Sequence, residues 1–209
     1  MIYKLYYVDG TASMGIRVLL EEIGASYELI QTTTDRRKPR PAEQLKLNPN
    51  GWVPVLLWDD SAMYECAAIT IFLCDRHSEV NLAPAINAPE RSLFLQTLVY
   101  FSSSIHTAFQ LDFHAYRFAD TPENEPSAQR RGCRRLRETW QVIDDQIGDK
   151  QWILGDQFSA ADVAATPDPI VPLCRPNDCK VASIADTAVN TSRSHTYPKC
   201  PMRNTFPLR

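Results

Sequence analysis

The sequence predicts a two-part protein, a small α/β domain followed by an all-helical domain. Three observations carry this expectation. Up to residue 79, short runs of aromatic and branched side chains alternate with one-sided helical repeats. Residues 80–89 hold Pro84 and Pro89, little charge and no periodicity, and so predict a linker. Over residues 90–165 only helical spacing is visible.

Ile2, Tyr3, Leu5, Tyr6, Tyr7 and Val8 form a strand-like run that ends at the turn signal Asp9-Gly10. Ile16, Leu19, Leu20 and Ile23 then repeat as one helical face, and Gly24 supplies a stop. Tyr27 to Ile30 predicts a second strand. A β-α-β unit of this length favours a parallel pair. After the polar loop TTTDRRKPRP come a short helical segment at Ala42 to Leu47 and a strand at Val53 to Trp58. A turn at Asp59-Asp60-Ser61 leads into a return strand at Met63-Tyr64. From Glu65, the residues Ala68, Ile69, Phe72 and Leu73 trace a helix to about His77.

Beyond the linker, Phe94, Leu98, Phe101, Ile105, Phe109 and Phe113 mark a long helix with room for a kink, and Cys133, Leu136, Trp140, Ile143 and Ile147 mark another. Ser159 and Asp162 form a helix-opening box, a hydroxyl and a carboxylate that each satisfy an otherwise orphaned backbone N–H. The pattern breaks near Ala165. The 45 residues from there on hold seven of the fifteen prolines and three of the six cysteines, with no apolar stripe. Pro167 and Pro169 fall within the helix that Ser159 begins, where a proline costs roughly 3 kcal/mol. Three readings stand for 166–209: an irregular or disordered extension, translation out of the original frame, or a metal site from Cys174, Cys179, His195 and Cys200. No metal is expected, because that cysteine and histidine spacing matches no familiar zinc signature.

Net charge is −3 with 22% charged residues, which favours neither nucleic acid nor an acidic membrane as partner. The start MIYKLYYVDG has no secretory pattern, and no stretch approaches the ~18 apolar residues of a membrane helix. The expectation is a soluble cytoplasmic protein with reduced thiols. Arg130, Arg131, Arg134, Arg135 and Arg137 are expected on a solvated helix face.

Asn48-Pro49-Asn50-Gly51-Trp52-Val53-Pro54-Val55-Leu56 and Glu65-Cys66-Ala67-Ala68-Ile69 resemble the N-P-x-G-x-V-P-x-L and E-S-x-A-I segments of glutathione transferases. The box Phe158-Ser159-Ala160-Ala161-Asp162 resembles the one that opens the core helix of their second domain. With GTASMGIR after the first strand, the resemblance covers about residues 1–164 and looks nearest to bacterial enzymes, including the beta class. It implies a thioredoxin-like N-terminal domain, an all-α C-terminal domain, glutathione as cosubstrate, small electrophilic substrates and a homodimer.

The resemblance also assigns roles. A cis Val53–Pro54 bond turns the Val53 backbone outward to pair with the extended peptide; taken alone, V-P is an ordinary trans proline opening a strand. Glu65 and Cys66 occupy the positions that hold the γ-glutamyl end. By itself Glu65 is a helix-start acid, and Cys66 replaces a serine with a weaker donor. His106 matches a histidine that points to the site from the second domain, although lone helix histidines are commonly surface or core residues. Arg36, Arg37, Lys38 and Arg40 are candidate cations for the glycine carboxylate.

The beta-class cysteine falls on Ala12, which excludes mixed-disulfide chemistry at that position. Ser13 and Thr11 remain as hydroxyls to activate the thiol, Ser13 being favoured as the match to the serine after that cysteine. The alternative is that one of them only caps the following helix. The expected activity is thiolate attack on an electrophilic carbon. The rivals are a non-catalytic glutathione-binding or interaction module, and thiol–disulfide exchange through Cys66.

Overall fold

The computed structural model describes residues 1–35 and 37–165. The expectations placed on 166–209, including the cysteine and histidine metal site, lie outside these residues.

Strand β1 (Tyr3–Tyr7) is central and largely buried, with Leu5 wholly inaccessible. Helix α1 (Ser13–Glu22) follows, then strand β2 (Tyr27–Gln31). β2 runs parallel to β1 with Leu29 beside Leu5, the pairing expected of a β-α-β unit. Helix α2 (Ala42–Leu47) precedes strands β3 (Val55–Trp58) and β4 (Ser61–Tyr64), and helix α3 (Cys66–Arg76) closes the unit. The sheet order is β2-β1-β3-β4, with β3 antiparallel to both neighbours. Strand β3 begins at Val55 rather than Val53, because the Val53–Pro54 peptide is cis and the ladder starts only after it. Ile16, Leu19 and Leu20 of α1 and Ile69 and Leu73 of α3 are all buried in one core. Each such Leu or Ile contributes about 1.5–3 kcal/mol when fully buried.

The helical half contains α4 (Arg91–Tyr100), α5 (His106–Phe113), α6 (Glu125–Ile147) and α7 (Ala160–Ala165). The long helix expected over Phe94 to Phe113 is interrupted by a π-helical turn at Phe101–Ile105. Such turns insert an extra residue and re-aim the side chains that follow. The start of α6 lies ahead of Cys133, since its first two turns are polar and carry no apolar stripe.

The two halves are joined by ion pair and backbone as well as by apolar contact. Arg91 of α4, largely buried, pairs with Asp75 of α3 at 2.9 Å. The linker is tied down too, its Leu82 carbonyl accepting the Ala160 N–H at 2.7 Å. The opening box of α7 forms. Asp162 accepts the Ser159 N–H at 2.9 Å and hydroxyl at 2.8 Å, and Ser159 Oγ accepts the Ala161 N–H at 3.2 Å. The other carboxylate oxygen takes the Ile153 N–H at 2.8 Å, so one buried side chain also fixes the α6–α7 connection. The arginines at 130–137 sit on α6, where Arg131 and Arg135 pair with Glu138. Among the described residues no helix is long and apolar enough to cross a membrane.

Candidate functional site at the sheet edge

The sheet register assembles the site. Tyr6 pairs with Val55 and Val55 with Tyr64, so one row crosses β1, β3 and β4 at the same end of the sheet. Neighbouring strands lie about 4.8 Å apart. The segments continuing from that row are the turn after β1, the cis Val53–Pro54 peptide and the Glu65–Cys66 start of α3. Residues distant in sequence meet because three strand ends coincide.

The loop carrying Val53 is held from beneath. Buried Gln44 of α2 donates through Nε2 to the carbonyls of Gly51 at 3.1 Å and Trp52 at 3.3 Å, and its own carbonyl accepts the Thr32 hydroxyl at 2.7 Å. Asn48 donates to the Trp52 carbonyl at 3.2 Å. Gly51 has φ +66°, and a Cβ there would lie 2.9 Å from Arg40 Cγ. Glycine is therefore required both for conformation and for space. Arg40 itself donates to the carbonyls of Gly51 and Asp35, at 3.1 and 3.0 Å, while Arg37 pairs with Asp35. Val53 is half-buried and Pro54 buried. From the second domain, Arg117 lies over the exposed Trp52 ring at 5.3 Å, a cation–π contact that spans the domains.

Glu65 is exposed and adopts φ +79°, ψ 115°, outside the usual regions for a non-glycine residue. Strain of this kind concentrates at functional positions. Cys66 follows as the first residue of α3, its thiol 3.8 Å from the Ala12 carbonyl oxygen. The two hydroxyls of the β1–α1 turn differ in setting. Ser13 is fully buried; its Oγ accepts the Val8 N–H at 3.1 Å and contacts the Val8 carbonyl at 3.1 Å and Thr11 Oγ1 at 2.7 Å. Thr11 is half-buried and donates to the Val8 carbonyl at 2.8 Å. Tyr7 is buried, with its hydroxyl on Asp9 at 2.6 Å, and burial followed by that carboxylate raises its pKa.

A cleft opens between the domains beside this edge, about 370 Å³ counting its mouth. Ala12, Cys66 and Thr70 face it from the first domain; Phe101, Ser102 and His106 face it from the second. Ser102 and His106, four residues apart, share one side of the α4–α5 rod, as residues one turn apart do. Burial pushes the His106 pKa down to about 4, so the imidazole is neutral at physiological pH. Of the residues expected from the sequence, Cys66 and His106 line the cleft; Thr11 and Ser13 flank it in the turn that carries Ala12. Gln44, Ser102 and the Arg117–Trp52 contact were not foreseen. A buried glutamine on a short helix and one serine among three in a row carry no linear signal. Among the described residues, no group of three or more His, Cys, Asp or Glu could hold a metal ion.

A thioredoxin-like sheet with a cis-proline loop, followed by a helical domain that closes a cleft over it, defines the class of two-domain thiol-binding proteins. Residues 11–76 match the glutathione S-transferase N-terminal domain and 126–168 the corresponding C-terminal domain, together more than half of the chain. The chain belongs to the glutathione transferase superfamily. Glutathione S-transferase GstA of Escherichia coli O157:H7 is 28% identical over 161 residues, covering 76% of this chain and 77% of the relative. A glutathione transferase from Methylococcus capsulatus superposes with a TM-score of 0.76 at 25% identity, over 90% of this chain and 93% of that one. A sphingomonad glutathione S-transferase solved with glutathione gives 0.66 at 26% identity, covering 77% and 78%.

Proposed function

We propose that this chain binds glutathione along the Val53 backbone and activates its thiol for attack on small electrophilic molecules, as a cytoplasmic homodimer. The observation that carries the reading is the single row Tyr6–Val55–Tyr64. It gathers the β1–α1 turn, the cis-proline loop and the α3 start within reach of one extended tripeptide. The Val53 N–H and C=O pair with the peptide as an added strand does. Glu65 receives the γ-glutamyl ammonium, and the first amides of α3, with Cys66, receive its carboxylate. The glycine carboxylate lies toward the basic loop ending at Arg40.

The glutathione sulfur then lies at the β1–α1 turn, facing the cleft. A hydroxyl donor there stabilises the thiolate and lowers its pKa, so more nucleophile is present at neutral pH. Thr11 is the hydroxyl assigned to this contact, because it is the more accessible of the two; its proton turns from the Val8 carbonyl to the sulfur when glutathione binds. Ser13, favoured by sequence match, holds Val8 and Thr11 in place from below. The neutral His106 ring contributes a further polar contact from the second domain. The electrophile occupies the apolar part of the cleft near Phe101.

The test has two stages. Glutathione or S-methylglutathione at a hundredfold excess over its dissociation constant should stabilise the protein by about 2.7 kcal/mol. A flat melting curve with both removes the glutathione reading. Conjugation of glutathione to a chloronitrobenzene is then followed against pH. Thr11→Ala should move the apparent thiol pKa upward and slow conjugation at neutral pH, about tenfold where the thiol pKa rises by about one. Ser13→Ala should chiefly lower the melting temperature. The reverse pattern assigns the hydroxyl to Ser13, and binding without conjugation makes the protein a glutathione-binding module.

A further inference from the structure

The arginines of the loop before α2 are committed to the loop itself. Arg40 donates to three backbone carbonyls, Gly51 at 3.1 Å, Asp35 at 3.0 Å and Lys38 at 3.4 Å. Arg37 pairs with Asp35 at 3.2 Å. Arg36 lies outside the described residues. Another cation reaches the same place from the second domain. Arg117 closes a 3-10 turn at Ala115–Arg117, just beyond α5, and its guanidinium carbon lies 5.3 Å from the centre of the Trp52 ring. Trp52 stands between Val53 and Gly51, whose carbonyl Arg40 holds, so the contact falls at the end of the site assigned above to the glycine of glutathione.

The turn that carries Arg117 is anchored. Ala115 is buried, the Arg117 N–H donates to the His114 carbonyl at 2.8 Å, and the Phe118 N–H donates to the Ala115 carbonyl at 2.9 Å. The side chain is ordered as well. Its Nε donates to the Tyr116 hydroxyl at 3.3 Å, and the guanidinium lies 5.6 Å from the Tyr116 ring centre. Among the described residues its two terminal nitrogens have no acceptor and no carboxylate partner. Trp52 is 43% exposed, because Gln44 and Asn48 hold its backbone carbonyl from beneath while its ring remains outside. Lys38 is exposed too, but its ammonium is a point charge on a flexible stem, whereas a guanidinium offers a planar fork that matches both oxygens of a carboxylate.

We propose that Arg117 receives the glycine carboxylate of glutathione, so that the helical domain supplies one wall of the tripeptide site and reads the free carboxylate. The inference rests on the placement of glutathione along the Val53 backbone. A guanidinium already ordered by Trp52 and Tyr116 loses little side-chain freedom when the ligand arrives. The pair bridges the domains, since the peptide lies on the first and the cation comes from the second. Its consequence is specificity: a peptide whose terminal carboxylate is masked keeps the Val53 and Glu65 contacts and loses this one.

The experiment uses the full chain and isothermal titration calorimetry with two probes, S-methylglutathione and the analogue in which its glycine carboxylate is a primary amide. The wild type should bind the acid about tenfold more tightly than the amide, the size of one hydrogen bond to a charged group. Arg117→Gln should bind the two alike, near the wild-type affinity for the amide. Arg117→Lys should recover only part of the preference, because an ammonium keeps the charge without the fork. The acid-to-amide ratio decides the matter. If Arg117 only braces Trp52 against the second domain, its removal weakens both probes equally and leaves the ratio intact, and that result overturns the proposal. A preference that survives in Arg117→Gln and is lost in the double variant Arg36→Gln, Lys38→Gln assigns the carboxylate to the basic loop instead. A wild type that binds both probes with equal affinity keeps the glutathione site and removes the role of Arg117. A wild type that binds neither removes both.

Discussion

Gly132 lies inside α6, where glycine is unfavourable, and substitution by alanine sets two effects against each other. The favourable one is intrinsic: alanine exceeds glycine in helix propensity by about 1 kcal/mol. The opposing one comes from packing. A Cβ on Gly132 would lie 2.5 Å from the Asp112 amide nitrogen and 2.7 Å from the Leu111 carbonyl carbon, whereas ordinary contact begins at 3.4 Å. Both atoms are backbone, so no side chain can swing aside, and α5 and α6 must separate by most of an ångström. Overpacking in a close-packed interior costs about 1–3 kcal/mol, and a clash with rigid backbone belongs at the upper end. The net expectation is a loss of about 1–2 kcal/mol. For a chain of this size each kcal/mol moves the melting temperature by about 2–4 °C, so a fall of roughly 2–8 °C is expected by calorimetry or circular dichroism. Because α5 begins at His106, a displaced α5 should also weaken the stabilisation by S-methylglutathione. A Gly132→Ala protein melting at or above the wild-type temperature would refute the close approach of the two helices.

Asp162→Ala removes the acceptor of three hydrogen bonds and leaves the Ile153 and Ser159 N–H groups buried without partners, at about 1–3 kcal/mol each. The midpoint of urea unfolding should fall accordingly, and a change within error would show that water replaces the carboxylate. The His106 pKa lies at about 4 in the folded protein against 6.5 unfolded, so the unfolded chain binds the proton first as pH falls. Stability from this group is complete above pH 6.5 and is lost as pH falls toward 4, by about 3 kcal/mol in total. Urea titrations at neutral pH and near pH 4 should show a smaller acid loss in His106→Asn, and equal losses in the two proteins would contradict a buried neutral ring.

Much of the architecture was legible because it rests on local chemistry. The 3.6-residue repeat of Ile16, Leu19, Leu20 and Ile23 needs only one buried face, and the Asp9-Gly10 turn needs only residues that tolerate its backbone. The Ser159–Asp162 box is equally local, since its donors lie within one helical turn. The π-helical turn at Phe101–Ile105 was not legible: the apolar spacing runs straight through it, and only packing against α6 and α3 decides where an extra residue is accommodated. Gly132 reads in sequence as a weak point of α6, and in three dimensions as the condition for α5 to approach.

The site divides in the same way. Val53, Pro54, Glu65 and Cys66 stand out through the resemblance of their segments to glutathione transferases; by residue type alone Val53-Pro54 opens a strand and Glu65 starts a helix. Which of Thr11 and Ser13 lies open, and that Gln44 holds the loop under Val53, follow from burial and hydrogen-bond direction, which only the assembled sheet and helices set. That His106 and Cys66 line one cleft is likewise a tertiary fact, because they come from separate domains and meet only through the docking of α4 and the π-helical turn against α3 and of α7 against α1. Sequence by itself determined the elements, their order and the chemical types at the sheet edge, since these depend on neighbours along the chain. The tertiary structure alone decided which of those groups face one another, because burial and proximity depend on how the elements pack.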